Sequence, residues 1–126
     1  GLPQGLLVTD LLDRIRSGED PVRMRGRNAD RDFLDIRDAV SGYGLLATAE
    51  VPSGSVFNLC SGRPERVSDL IESIFKGMDV RRRIEFEDPS SDVLVGQNGK
   101  LAAATGWRPA YGLDDTLQLL LDGRRA

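Results

Sequence analysis

The sequence predicts a mixed α/β (α+β) fold, in a single domain spanning residues 1 to 126. Two observations carry this prediction. Several segments repeat apolar residues at helical spacing, and shorter segments alternate apolar with polar residues as strands do. The two kinds of pattern mingle along the chain, whereas separate blocks of helices and strands would indicate another fold class.

The first elements are a helix and a short strand. Residues 6 to 16 form the predicted helix, since apolar residues recur at positions 7, 8, 11, 12 and 15. Residues 21 to 26 alternate Val22 and Met24 with Arg23 and Arg25. This period of two predicts a strand with an arginine-bearing face.

A brief extended piece and a second helix are predicted next, at residues 31 to 36 and about 37 to 50. The residues expected to face inward from this helix are Val40, Tyr43, Leu46 and Ala47. Gly42 and Gly44 each lower the helix propensity by about 1 kcal/mol. Alternatively, these glycines mark close packing against a neighbouring element.

The second half of the chain continues the alternation. Residues 55 to 59 are predicted as a strand and residues 83 to 87 as another. Helices are predicted at about residues 66 to 76, at 100 to 105 and at 113 to 122. Their inward stripes are Val67, Leu70, Ile71, Ile74 and Phe75 in the first and Leu113, Leu117, Leu120 and Leu121 in the last.

Composition excludes several function classes. The chain has 17 Lys and Arg against 20 Asp and Glu, a net charge of −3, so nonspecific nucleic-acid binding is not expected. It has no histidine and one cysteine, Cys60, which excludes His-dependent nucleophile triads, a zinc site of His and Cys ligands, and an internal disulfide. No apolar run is long enough for a membrane span or signal peptide. We expect a cytoplasmic protein without a membrane partner.

Catalytic motifs are also missing from the sequence. It contains no Gly-x-Gly-x-x-Gly fingerprint, no P-loop and no Tyr-x-x-x-Lys pair. Asp32, Asp35 and Asp38 are spaced at threes, and we expect them to cap and solvate a helix start rather than to act as acids or bases. We therefore predict no catalytic residue, no metal ligand and no cofactor-binding residue in this chain.

Three landmarks in order resemble one family. They are Arg-Asp-Phe-Leu-Asp-Ile-Arg-Asp at 31 to 38, Val-Phe-Asn-Leu-Cys-Ser-Gly at 56 to 62, and Thr-Gly-Trp-Arg-Pro at 105 to 109. Together they resemble the C-terminal substrate-binding part of extended short-chain dehydrogenases/reductases, the NAD-dependent epimerase/dehydratase family. Residues 5 to 10 and 101 to 109 are similar to the branch of GDP-mannose 4,6-dehydratases and GDP-4-keto-6-deoxymannose reductases.

The resemblance implies the smaller half of a longer enzyme. In this family an N-terminal Rossmann half binds NAD or NADP and carries the catalytic Tyr and Lys, while the C-terminal half recognises the nucleotide sugar. Because the chain begins at Gly1 and matches only the second half, we expect a fragment of a longer enzyme. Its expected partners are a nucleotide-sugar substrate, its own Rossmann domain and further copies of itself. A non-catalytic binding or oligomerisation module of the same fold is the alternative.

The resemblance also implies substrate-binding residues. Arg31 is expected to reach the diphosphate, since a guanidinium fork suits two phosphate oxygens; the alternative is a surface pair with Asp30 or Asp35. Arg23 and Arg25 match a strand whose exposed face lies along the nucleoside in the family. The alternative is that they are simply solvated strand positions. Leu7 and Val8 match the start of a helix that lines the nucleotide pocket in the family. The alternative is that they belong to the core.

Other positions are expected to be structural. Trp107 is predicted to fill the core or the seam beneath the last helix, and Cys60 to be a small buried residue. Gly62 is expected to permit a turn that a Cβ would obstruct. Many relatives carry a second diphosphate-binding arginine in the loop corresponding to residues 88 to 92, which has no basic residue here. A half-enzyme of this kind should also expose an apolar seam.

Overall fold

The computed structural model describes residues 7 to 87 and 91 to 125, and over these ranges the mixed α/β prediction is confirmed. The helices are α1 (Leu7–Arg16), α2 (Ile36–Thr48), α3 (Val67–Gly77), α4 (Gly99–Thr105) and α5 (Leu113–Arg125). The strands are β1 (Val22–Met24), β2 (Asp30–Arg31), β3 (Glu65–Arg66), β4 (Ile84–Phe86) and β5 (Val93–Leu94).

The chain divides into two compact units. Unit 1 comprises Gly1–Ala29 and Arg66–Asp92, and unit 2 comprises Asp30–Glu65 and Val93–Ala126. Each unit therefore gathers two separated stretches of the sequence. That the whole chain acts as one nucleotide-sugar-binding domain stays a prediction.

Unit 1 is built on a parallel pair of strands. In β1 and β4, Val22 lies opposite Ile84, Arg23 opposite Glu85 and Met24 opposite Phe86. Val22 and Met24 are buried while Arg23 is exposed, so the predicted alternation is confirmed. The predicted stripe of α3 is buried as well, and so are the last three residues of the α1 stripe, whereas Leu7 and Val8 are half-buried. Burying such apolar surface is the main stabilising contribution. These buried side chains are Leu11, Leu12, Ile15, Val67, Leu70, Ile71, Ile74 and Phe75.

Unit 2 contains β2 and β5 together with α2, α4 and α5, and β3 lies where the sequence passes from unit 2 to unit 1. β2 pairs in parallel with β5. Asp35 caps α2, because its carboxylate accepts a hydrogen bond from the Arg37 amide at 2.8 Å. Gly106 ends α4 in the left-handed region, at a φ of 75°. Trp107 is 1% exposed, which confirms that it fills a core.

Residues 55 to 59 are not a strand, so that prediction is wrong. The segment makes no ladder with any described strand, and Val56 is 75% exposed. Its Val56 carbonyl accepts instead from Lys100 Nζ at 2.7 Å, and the same ammonium lies 4.8 Å from the centre of the Phe57 ring. Strand propensity was present in the residues, but a strand also needs a partner to bond.

The inward face predicted for α2 is also wrong. Val40 and Tyr43 are 63% and 67% exposed, Ala47 is exposed and Leu46 is half-buried. The buried residues of this helix are Asp38 and Gly42. A Cβ at Gly42 would lie 2.5 Å from Leu59 Cδ1, which confirms close packing as the alternative reading of this glycine. A Cβ at Gly44 would have no neighbour within 4 Å, so close packing does not explain the glycine at this position.

Candidate functional site

Unit 1 contains a groove of about 390 Å³ between the start of α1 and the ends of β1 and β4. It brings together three of the predicted substrate-binding residues, Leu7, Arg23 and Arg25. The fourth from this unit, Val8, is half-buried in α1 and is not among the lining residues. The remaining lining residues are Asp10, Arg14, Met24 and Glu87.

A glutamate lies beside each of the two arginines, Arg23 within the β1–β4 pair and Arg25 just beyond its end. Arg23 Nε lies 3.8 Å from Glu85 Oε2, and Arg25 Nε lies 3.4 Å from Glu87 Oε2. The two arginine side chains are 59% and 78% exposed, and exposed pairs of this kind contribute at most about 1 kcal/mol each. The arginines are therefore solvated and paired, and they also project from the face that borders the groove.

Arg14 is held more firmly than either strand arginine. Its Nε donates to both Asp10 oxygens at 3.1 Å, and its Nη1 donates to Glu19 Oε1 at 3.1 Å. The hydrogen bond to Asp10 raises the pKa of Arg14 above its usual value. Glu19 also accepts from the Arg23 amide at 2.9 Å, and this bond lowers the pKa of Glu19. These carboxylates and Arg14 were missed from sequence, although Asp10 and Arg14 have the i, i+4 spacing of a helical ion pair.

Arg31 lies in unit 2, on β2, where it is half-buried. Its Nη1 donates to the backbone carbonyl of Asp30 at 3.0 Å. Asp35, one of the alternative partners, binds Arg37 instead through contacts of 2.9 and 3.0 Å, and accepts from Thr116 Oγ1 at 2.6 Å. The hydrogen bond from Arg37 holds the pKa of Asp35 well below its usual range.

The other two aspartates accept hydrogen bonds from distant loop segments. Asp32 accepts from the Ser61 amide and hydroxyl at 2.8 and 2.7 Å, from the Gly62 amide at 2.8 Å and from the Gly96 amide at 3.2 Å. Burial alone would raise the pKa of Asp32, but these hydrogen bonds together lower it. Asp38 is 2% exposed and accepts from two backbone amides of residues 110 and 111. Capping is confirmed for Asp35, and solvation is wrong for Asp38.

Two smaller predictions concern the turn at residues 60 to 62. Gly62 has a φ of 73°, so it adopts the conformation that glycine permits. Cys60 is half-buried rather than buried, and burial followed by the nearby Asp32 charge raises the pKa of its thiol. No described helix has the length and apolarity to cross a membrane. Within the described ranges, no group of three or more metal-ligating side chains is assembled.

Sequence comparison finds relatives among nucleotide-sugar reductases. No family model matches the chain. It is 31% identical over 117 residues to GDP-6-deoxy-D-mannose reductase of Pseudomonas aeruginosa, covering 86% of this chain and 38% of that protein. It is 26% identical over 123 residues to dTDP-4-dehydro-6-deoxyglucose reductase of Escherichia coli, covering 94% and 38% respectively. The chain thus spans well under half the length of the curated relatives it matches.

Structural comparison agrees with the sequence. The structure of RMD from Pseudomonas aeruginosa in complex with NADPH superposes with a TM-score of 0.79 and 25% identity, covering all of this chain and 45% of that one. By sequence and by fold, the chain is therefore similar to less than half of the length of nucleotide-sugar reductases of this kind, a match consistent with the C-terminal part of an extended short-chain dehydrogenase/reductase of the NAD-dependent epimerase/dehydratase family.

Proposed function

We propose that this chain is the nucleotide-sugar-binding portion of an NAD(P)-dependent reductase, dehydratase or epimerase, with a GDP-sugar as the favoured ligand. The observation that carries the proposal is the groove of unit 1, where Leu7, Arg23 and Arg25 line one cavity. Leu7 supplies apolar surface for a base and ribose, and the arginines supply hydrogen-bond donors. The GDP preference is supported by the similarity to GDP-6-deoxy-D-mannose reductase.

Arg31 is assigned to the diphosphate. Its guanidinium presents a planar fork of donors, which matches two phosphate oxygens better than a lysine would. The resemblance implies a second diphosphate-binding arginine in the loop corresponding to residues 88 to 92, where this sequence has no basic residue. Residues 88 to 90 lie outside the described residues. We therefore expect Arg31 to carry the phosphate contact of this chain.

Cofactor and catalytic base are assigned to a Rossmann half. The sequence has neither the Gly-x-Gly-x-x-Gly fingerprint nor the Tyr-x-x-x-Lys pair that such a half carries. The similar Pseudomonas structure is a complex with NADPH, which supports NAD(P) as the cofactor of the whole enzyme. In this division of work, the present chain supplies nucleotide recognition and thereby specificity.

Calorimetric titration with GDP and UDP tests the proposal. We expect the chain to bind GDP more tightly than UDP. We also expect Arg31→Ala to lower the affinity for GDP at least about tenfold, because a charge-assisted hydrogen bond contributes about 1.5–3 kcal/mol. Arg81→Ala is the matched control, since Arg81 is 87% exposed and pairs only loosely with Asp79, at 3.4 Å. No binding of either nucleotide at millimolar concentration would overturn the proposal.

An oligomerisation module of the same fold is the second candidate. The observation that favours it is the exposed apolar stripe of α2, formed by Ile36, Val40 and Tyr43 at 65%, 63% and 67% exposure. Exposed apolar patches on small proteins commonly mark interaction surfaces. Under this reading the chain would associate through α2 and would not bind either nucleotide.

A further inference from the structure

We propose that Glu87 is the residue that selects guanine in the groove of unit 1, an inference that rests on the proposed function. Glu87 lines the groove beside Arg25, at the end where β1 and β4 finish. Its backbone amide donates to the Met24 carbonyl at 2.9 Å, which continues the ladder and fixes the point from which its side chain starts. The groove thus presents an acceptor next to a donor, 3.4 Å apart.

Of the two carboxylates that line the groove, Glu87 is the more available. Both Asp10 oxygens accept from Arg14, and Arg14 is held on its other side by Glu19. Glu87 meets Arg25 through a single long contact of 3.4 Å, and its side chain is 47% exposed. A ligand can therefore bind Glu87 without breaking an ion pair that is held by several hydrogen bonds.

The chemistry of guanine matches this pair. Its edge carries two adjacent donors, N1–H and the N2 amino group, and a carboxylate can accept from both in parallel. The neighbouring O6 is an acceptor of the kind that arginine binds, which suits Arg25. Uracil and thymine offer one donor between two carbonyl oxygens, and those oxygens repel a carboxylate. Glu87 thus favours guanine and disfavours the pyrimidines through the same charge.

Inosine diphosphate isolates this contact, because it differs from GDP only by lacking the N2 amino group. We expect calorimetry on the 126-residue chain to give GDP an affinity about tenfold or more above that of inosine diphosphate. Glu87→Gln should reduce this ratio to less than about threefold. Glu85→Gln is the matched control and should keep the ratio, since Glu85 pairs with Arg23 across the same strands but does not line the groove.

The outcomes separate this inference from the proposed function. Equal affinity for the two purine nucleotides, an unchanged ratio in Glu87→Gln, or tighter binding of UDP than of GDP would each overturn the role of Glu87 while leaving nucleotide binding intact. Failure of every nucleoside diphosphate to bind the wild-type chain would overturn the proposed function, and the role of Glu87 with it. Far-UV circular dichroism of both variants establishes that they keep the fold.

Discussion

The carboxylate of Asp32 accepts hydrogen bonds from amides of two separate loops, at Ser61 and Gly62 and at Gly96. In Asp32→Asn an amide NH₂ group would replace one of the two acceptor oxygens, so some of these partly buried donors would lose their hydrogen-bond partner. We expect the variant to lower the free energy of unfolding by about 2–3 kcal/mol, measured by urea denaturation at pH 7. Asp13→Asn is the control: Asp13 is 68% exposed and lies 3.9 Å from Arg16, so a change below about 0.5 kcal/mol is expected.

Single carboxylates also determine how the stability of the protein responds to acid. The folded-state pKa values of Asp32 and Asp35 are lowered, so the native protein binds fewer protons than the unfolded chain at these sites. Their contribution to stability is complete above the unfolded pKa of about 3.9 and is lost as the pH falls through the lower folded values. We expect the free energy of unfolding from these groups to be level from pH 7 to 5 and to fall below about pH 4. Stability that stays level to pH 3 would contradict this.

At the scale of elements, α2 offers a matched pair of glycines. A Cβ at Gly42 would lie 2.5 Å from Leu59 Cδ1 and 3.2 Å from Trp107 Nε1, whereas a Cβ at Gly44 would meet nothing within 4 Å. Gly44→Ala should raise the free energy of unfolding by about 0.5–1 kcal/mol through helix propensity and reduced unfolded-state entropy. Gly42→Ala should lower it by about 1–2 kcal/mol, because overpacking beside the buried Trp107 exceeds the gain in helix propensity. Thermal denaturation of both variants measures the difference, and equal effects would refute it.

The elements predicted correctly are those that depend only on the residue pattern within the element itself. The stripes of α1 and α3 and the alternation of β1 follow from side-chain periodicity alone. The α3 stripe and the β1 alternation are as expected, and the α1 stripe is buried from Leu11 onward. The predicted inward face of α2 is wrong because its contact surface is set by Gly42 and the close approach of the Leu59 side chain, which apolar periodicity does not encode. Residues 55 to 59 failed because strand formation depends on a partner that local sequence does not specify.

The candidate groove shows the same division. The period of two predicts from sequence that Arg23 and Arg25 share one face, and in the structure both line the same groove. Glu87 lies in that groove because β1 pairs with β4, which brings together residues about sixty positions apart in the sequence. Sequence patterns do not determine such long-range register, so the carboxylate side of the groove was not predictable.

At the scale of the whole molecule, the chain spans less than half the length of its relatives and exposes an apolar stripe on α2. Ile36, Val40 and Tyr43 recur at helical spacing, so they form one continuous surface rather than scattered positions. Burying such a surface is favourable at about 25 cal/mol per Å² of apolar area. A chain with no other partner in solution has only further copies of itself available to cover it.

We therefore expect the isolated chain to self-associate through α2. Sedimentation velocity should show an average mass that rises with protein concentration, and Val40→Asp should return the chain to the monomer because an ionised carboxylate is costly to bury. Val40 is 63% exposed, so the substitution should leave the fold of the monomer intact. Leu119→Asp, at a residue 44% exposed on α5, is the control and should leave association unchanged. A wild-type chain that stays monomeric at every concentration would show that the stripe is not self-complementary.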